Sequence, residues 1–214
     1  MGFHKIIDGI ELYIRRAVRV LATGLNRLTK GHLRPNDVTI ALLLLHLPIA
    51  YLIAVDHLVW AGVLLVVLGL FDTLDGELAR LQKRVTDVGG LLDSVSDRVK
   101  ELLVYSGLVY YFSVTHQPAI VLLVTMVACG ASLITPFVKA KGEAIISTYG
   151  HELSYDRLSR IFQEGLLPYA FRIALLSVGL IAGREVIPWV TATIAVLGIV
   201  MIIERLSSIA KGIR

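Results

Sequence analysis

Apolar runs of bilayer length, separated by short charged connections, constrain this chain more than any other feature. Val38–Val55, Leu58–Phe71, Ala119–Val138 and Val186–Ile203 carry no charge. Leu166–Ile181 is interrupted only by Arg172, and Val88–Ser113 starts polar and turns apolar at Leu102. These runs approach the ~20 residues that a helix needs to cross hydrocarbon. In lipid the backbone must satisfy its own hydrogen bonds, so such runs become helices. With 56% hydrophobic residues and a mean hydropathy of +0.74, a soluble domain is excluded as the default class. The expectation is an all-α integral membrane protein with six transmembrane helices over residues 35–214. Residues 1–34 form a separate cytoplasmic or interfacial segment. Within it, Ile6, Ile7, Ile10, Ile14, Ala17, Val18 and Leu21 recur at helical spacing, with Lys5, Arg15, Arg16 and Arg19 among them. That pattern fits an amphipathic helix lying on the membrane surface. No cleavable leader is expected, because the first long apolar run starts near Val38 behind a basic segment.

The connections alternate in charge. Basic residues gather before the first run, at Lys83 and Arg84, at Lys139, Lys141, Arg157 and Arg160, and at Lys211 and Arg214. The intervening connections hold Asp56-His57, Thr115-His116-Gln117 and Arg184-Glu185. Lys and Arg excess marks the cytoplasmic side. Six spans in the cell membrane with both termini inside satisfy every connection. The net charge of +4 then serves topology and anionic lipid, and nucleic acid is not an expected partner. Cys129 is the only cysteine and sits in an apolar run, so it forms no internal disulfide.

Against this background residues 72–97 stand out. Asp72, Asp75, Asp93 and Asp97 lie at the ends of apolar runs, with Gly76, Ala79 and Gly89 between them. Charge at membrane depth is costly and usually functional. Asp72, Gly76, Ala79 and Arg80 are spaced to share one helix face, and Gly89, Asp93 and Asp97 form a ladder on the next helix. The eight residues between Arg80 and Gly89 allow a short turn that sets the two helices side by side. Four carboxylates would then converge on one or two hard cations, which seek oxygen ligands and bridge them to phosphates. The small residues leave room for a phosphate-bearing ligand, and the Arg80 guanidinium suits phosphate oxygens. The bland alternative is a solvated loop whose acids are balanced by Arg80, Lys83, Arg84, Arg98 and Lys100.

The string Asp72-Thr73-Leu74-Asp75-Gly76-Glu77-Leu78-Ala79-Arg80, followed by Gly89, Asp93 and Asp97, resembles the DxxDGxxAR…GxxxDxxxD signature of the CDP-alcohol phosphotransferase family. Pro35-Asn36-Asp37-Val38-Thr39 also resembles a PNxxT segment common there. The resemblance implies a transferase that moves a phosphoalcohol from a CDP-alcohol, usually CDP-diacylglycerol, to a second alcohol and releases CMP. It implies that Asp72, Asp75, Asp93 and Asp97 hold a pair of Mg²⁺ or Mn²⁺ ions. Gly76, Ala79 and Arg80, with Asp75, Asn36 and Thr39, would bind the CDP-lipid, and Asp97 would be the general base. A homodimer is implied as well.

Lys139-Ala140-Lys141-Gly142-Glu143-Ala144 is similar to the KARAEA element of the phosphatidylinositol-phosphate and archaetidylinositol-phosphate synthases of that family. There, a basic pocket takes the acceptor's phosphate. The matching positions are Lys139, Arg172 and Arg205, with Arg157 and Arg160 as competitors for the place of Arg172. The donor would be CDP-diacylglycerol or CDP-archaeol, and the acceptor a phosphorylated polyol. Inositol phosphate is favoured, with glycerol 3-phosphate as the alternative. Two further classes compete. A UbiA-type prenyltransferase would resemble NDxxDxxxD, with a second Asp-rich copy and about nine spans, and a non-enzymatic ion carrier would spread its acids through the membrane depth. His46 is expected to serve helix packing, and Pro48, Pro136, Pro168 and Pro188 to bend helices without a chemical role.

Overall fold

The structure, a computed structural model, describes residues 18–149 and 169–213. All regular structure among these residues is helical. The interfacial helix expected over 5–21 lies outside them except for its last residues, and Arg157, Arg160 and Pro168 lie wholly outside. The described chain opens with helix α1, residues 18–28. Then follow α2 (Pro35–Ala54), α3 (Leu58–Phe71), α4 (Leu74–Leu81), α5 (Asp87–Val114), α6 (Ala119–Tyr149), α7 (Tyr169–Ala182) and α8 (Ile187–Ile213).

The starts of the helices are legible in local chemistry. Pro35 opens α2 at the first helical position, where its missing N–H costs nothing. Asp37, two residues later, accepts the backbone N–H of Arg34 at 3.1 Å. Thr86 caps α5 by accepting the Gly89 N–H at 3.1 Å. Among the described residues four stretches are long and apolar enough to cross a membrane: Pro35–Ala54, Leu58–Leu81, Ala119–Ile145 and Ile187–Ala210. Helix α7 is apolar but shorter, and α5 carries the charges of the acidic motif along its first half. The protein is therefore a multi-pass membrane protein. Its outer surface agrees: Tyr51, Trp60, Met126, Val178 and Trp189 are exposed, as lipid-facing side chains are.

Helix ends depart from the apolar runs in two places. Helix α6 does not close at Lys139 but continues to Tyr149, and α8 runs through Glu204-Arg205 to Ile213. The added residues (Ala140, Lys141, Glu143 and Ala144 in one case, Glu204, Arg205, Leu206 and Ala210 in the other) are good helix formers. A change to polar character ends the apolar run but gives the backbone no reason to stop. A third departure concerns Asp72. It does not share a helix face with Gly76, Ala79 and Arg80, because α3 ends at Phe71 and Asp72-Thr73 form a link before α4.

Helix α2 packs on α5, α3 on α7, and α6 on α8. The core these pairs share includes Ile49, Leu65, Leu108, Leu176 and Ile194, all fully buried. A second cluster joins Val18 and Ala22 of α1 to Val38, Leu42, Leu74 and Leu78. It fixes α4, and so the first half of the acidic motif, against the start of α2. Close approach of helices in membranes depends on small residues. A Cβ on Gly107 of α5 would lie 2.7 Å from the Ala50 carbonyl oxygen of α2, and one on Gly62 of α3 would lie 2.9 Å from that of Ser177 of α7. Gly107→Val is therefore expected to cost about 2–3 kcal/mol, as overpacking does. Thermal unfolding in detergent should show the loss. Gly130→Ala, whose Cβ meets nothing within 4 Å, should leave the melting temperature unchanged or raise it.

Candidate active site

The acidic motif is assembled from three elements. Asp72 follows α3, Asp75 lies on α4, and Asp93 and Asp97 lie on α5. Asp75 is nearly buried, at 8% exposure. Its Oδ2 accepts the Thr39 hydroxyl at 2.5 Å, and its Oδ1 accepts the Gly76 N–H at 2.6 Å. The PNxxT segment and the first half of the motif thus meet directly. Asn36 reaches the second half: its Oδ1 would lie 3.4 Å from a Cβ on Gly89. Gly76 opens onto space, with nothing within 4 Å of the place its Cβ would take. The Arg80 guanidinium bonds Glu77 at 2.5 Å and is largely exposed. Both residues line a cleft of about 210 Å³ with Arg19 and Leu81. Ala79 lies on α4 one residue before Arg80.

Lys100, three residues beyond Asp97, sits at the centre of the acidic group. Its side chain is 1% exposed. Its ammonium is hydrogen-bonded to Asp72 Oδ1 and, at 3.0 Å, to Asp97 Oδ1. Asp93 has Asp97, Asp75, Asp72 and, with opposite sign, Lys100 as electrostatic neighbours, and among the described residues it makes no hydrogen bond or ion pair of its own. No three His, Cys, Asp or Glu side chains among the described residues are gathered tightly enough to hold a metal ion as they stand. The donor set nevertheless suits one. Carboxylate oxygens are what hard cations take, and a buried cationic group already stands between Asp72 and Asp97, so these two converge on a single positive charge.

A second charged group lies one turn deeper along α5. Glu101 is fully buried. Arg172 of α7 reaches its Oε1 through both Nε and Nη2 at 2.9 Å. Arg98 reaches its Oε2 at 2.6 Å. Both guanidinium groups stand over the Tyr169 ring, at 5.4 and 5.9 Å from its centre. The other arm of Arg98 Nη1 goes to the Ser132 carbonyl at 3.3 Å. That carbonyl is available because Pro136, four residues on, has no N–H to give it. Pro136 therefore does have a link to the site, contrary to the expectation from sequence. Arg205 of α8 donates to the Thr135 carbonyl at 3.1 Å and has Arg172 and Glu143 as electrostatic neighbours. Lys139 lies one turn beyond Thr135 and faces Glu143 at 4.0 Å. His46 is buried with Nδ1 against the Leu42 carbonyl at 2.8 Å, as a packing residue would be.

Glu101 and Tyr169 were not singled out by the sequence, and Lys100 and Arg98 entered only as counter-charges of a solvated loop. One signal was there to be read. Lys100 and Glu101, three and four residues beyond Asp97, continue the charged face of Asp93 and Asp97 into an otherwise apolar helix, with Arg98 to one side of it. Charges so placed need partners.

Comparison with known proteins bears on this arrangement. Residues 32–203 match the family described as CDP-alcohol phosphatidyltransferase. An archaetidylinositol phosphate synthase of Aeropyrum pernix is 30% identical over 210 residues, covering 95% of this chain and 95% of its own. A phosphatidylinositol phosphate synthase of Corynebacterium glutamicum is 29% identical over 78% of this chain and 80% of its own. The crystal structure of a Mycobacterium tuberculosis phosphatidylinositol phosphate synthase with CDP-DAG bound shares the fold. Its TM-score is 0.76 at 22% identity, covering 91% of this chain and 94% of that one. The same enzyme in complex with manganese and citrate gives 0.72 over 90% of this chain and 88% of that one. The match runs from just before α2 into α8 and takes in every carboxylate of the motif, so this chain belongs to the CDP-alcohol phosphatidyltransferase family and is a CDP-alcohol phosphotransferase.

Proposed function

We propose that this enzyme moves a phosphatidyl or archaetidyl group from a CDP-lipid to inositol phosphate and releases CMP. The observation that carries the acceptor is the likeness to an archaetidylinositol phosphate synthase over 95% of both chains. The buried Arg172, with the partly buried Arg98 and Arg205 near it, supports an acceptor that brings a phosphate. Lys139, Arg172 and Arg205 bind that phosphate. Gly76, Ala79 and Arg80, with Asp75, Asn36 and Thr39, bind the CDP-lipid. The Thr39–Asp75 bond and the open space at Gly76 support that assignment.

Asp72, Asp75, Asp93 and Asp97 would hold two divalent ions, Mg²⁺ or Mn²⁺. The manganese in the Mycobacterium tuberculosis enzyme supports the metal. When bound, such ions offset the charge of the diphosphate and of the leaving CMP. The protein's own residues do the remainder. Thr39 holds Asp75 in one rotamer, Arg80 meets phosphate oxygens at the mouth of the site, and Asp97 takes the proton of the acceptor hydroxyl. Among the described residues the motif offers carboxylates and no Cys, His or Ser placed as a covalent nucleophile, so the acceptor displaces CMP directly. Alternating basic connections support six spans, both termini and the active site on the cytoplasmic side, and residues 1–34 as an interfacial segment. The assembly is a homodimer.

The test is CMP release by purified protein with CDP-diacylglycerol or CDP-archaeol. Inositol phosphate should support turnover with Mg²⁺ or Mn²⁺, and chelation should abolish it. Free inositol and serine should not support it. Preference for glycerol 3-phosphate would overturn the acceptor assignment, and a trapped phosphoenzyme would overturn direct displacement.

A further inference from the structure

We propose that Lys100 is a resident counter-ion that competes with divalent cations for Asp72 and Asp97. The proposal rests on the reading of these carboxylates as metal ligands. The lysine is buried to 1% exposure, a position that side chain rarely takes without a specific anion. Its ammonium has three donors, and it directs bonds to carboxylates from both sides of the site. One of these belongs to the link after α3, the other to α5, so the lysine ties together the two halves of the motif. Nothing else among the described residues does this for Asp72. Arg98, the nearest other cation, is committed to Glu101 at 2.6 Å and stands 3.9 Å from Asp97.

An ammonium and a divalent ion want the same oxygen lone pairs, and each repels the other at that distance. A metal ion taken by Asp72 and Asp97 must therefore expel Lys100 from at least one of them. Asp93 makes no bond to Lys100, whose ammonium acts on it only from a distance, so an ion held there meets a weaker competitor. Two consequences follow. Metal uptake is uneven, with the weaker step set by the lysine. The metal-free site also stays assembled, because the buried positive charge offsets repulsion among the four carboxylates.

The experiment is a Mn²⁺ titration of the full-length protein in detergent, read by electron paramagnetic resonance of the unbound ion, for wild type, Lys100→Met, Lys100→Arg and Asp93→Asn. Lys100→Met is expected to tighten the weaker Mn²⁺ Kd by roughly tenfold or more. Its metal-free melting temperature should fall below that of wild type, and Mn²⁺ should restore it. Lys100→Arg, which keeps the charge, should retain the weak step. Equal or weaker Mn²⁺ binding by Lys100→Met, with wild type binding normally and Asp93→Asn impaired, overturns the proposal and leaves the metal reading intact. Absence of Mn²⁺ binding by wild type overturns both. If Lys100→Met does not fold, ¹⁵N-lysine-labelled wild type gives the answer. The Lys100 ammonium resonance, identified by its loss in Lys100→Arg, should shift as Mg²⁺ saturates the site. A resonance unmoved at saturating Mg²⁺ overturns the proposal.

Discussion

Asp93→Asn should reduce turnover by more than about a hundredfold while leaving the fold intact. Loss of an outer partner of a metal ligand already costs 10–100-fold, and loss of a ligand costs more. Each of Asp72→Asn, Asp75→Asn and Asp97→Asn should have the same effect on CMP release, because Asn keeps the size of the side chain and loses its charge. The four differ in stability. Asp93 makes no ion pair among the described residues, and three other carboxylates outweigh the one ammonium, Lys100, that acts on it. Removing its charge relieves repulsion, so the melting temperature should hold or rise. Asp72 and Asp97 each hold Lys100, so their Asn variants leave a buried ammonium with a single anion and should be less stable. Thermal unfolding and CMP release measured on the same preparations separate the two effects. Near-wild-type turnover in any two of the four variants would sink the shared metal site.

The second large effect is at Arg172. Arg172→Gln leaves the fully buried Glu101 with Arg98 as its remaining charged partner. Breaking a buried pair from one side costs roughly 3–5 kcal/mol. A fall in activity from this variant alone would therefore say little about the acceptor. The double variant Glu101→Gln/Arg172→Gln removes both charges and should recover much of that loss. If Arg172 binds the acceptor's phosphate, the double variant folds yet shows a raised KM for inositol phosphate and an unchanged KM for the CDP-lipid. A normal KM for both would assign Arg172 to the fold. Lys139→Gln and Arg205→Gln disturb weaker contacts, a 4.0 Å ion pair and one carbonyl bond. They should raise the acceptor KM with little effect on melting.

Much of this protein is determined by the sequence alone. Lipid leaves the backbone no partner but itself, so uncharged runs such as Val38–Val55 had to be helices. The motif from Asp72 to Asp97 carries its chemistry in residue type and spacing, so the family could be read without a fold. With that family established, the prenyltransferase and ion-carrier alternatives fall away. The starts of α2 and α5, at Pro35 and behind the Thr86 cap, precede the apolar runs at Val38 and Val88 but follow local hydrogen-bonding rules. The helix ends were not announced, because a run of good helix formers after Lys139 or Glu204 does not tell the backbone to stop. What only the tertiary structure decided concerns pairing between elements distant in the chain. Thr39 meets Asp75 across 36 residues, Lys100 meets Asp72 across 28, and Arg172 meets Glu101 across 71. Lys100 and Arg98 looked like surface charges balancing an acidic loop, since sequence records a charge but not its burial. Pro136 looked like a simple bend. Its missing N–H leaves the Ser132 carbonyl for Arg98, and that bond exists only because α5 packs beside α6. Burial makes each such charge depend on one particular partner, and the packing of the helices supplies it.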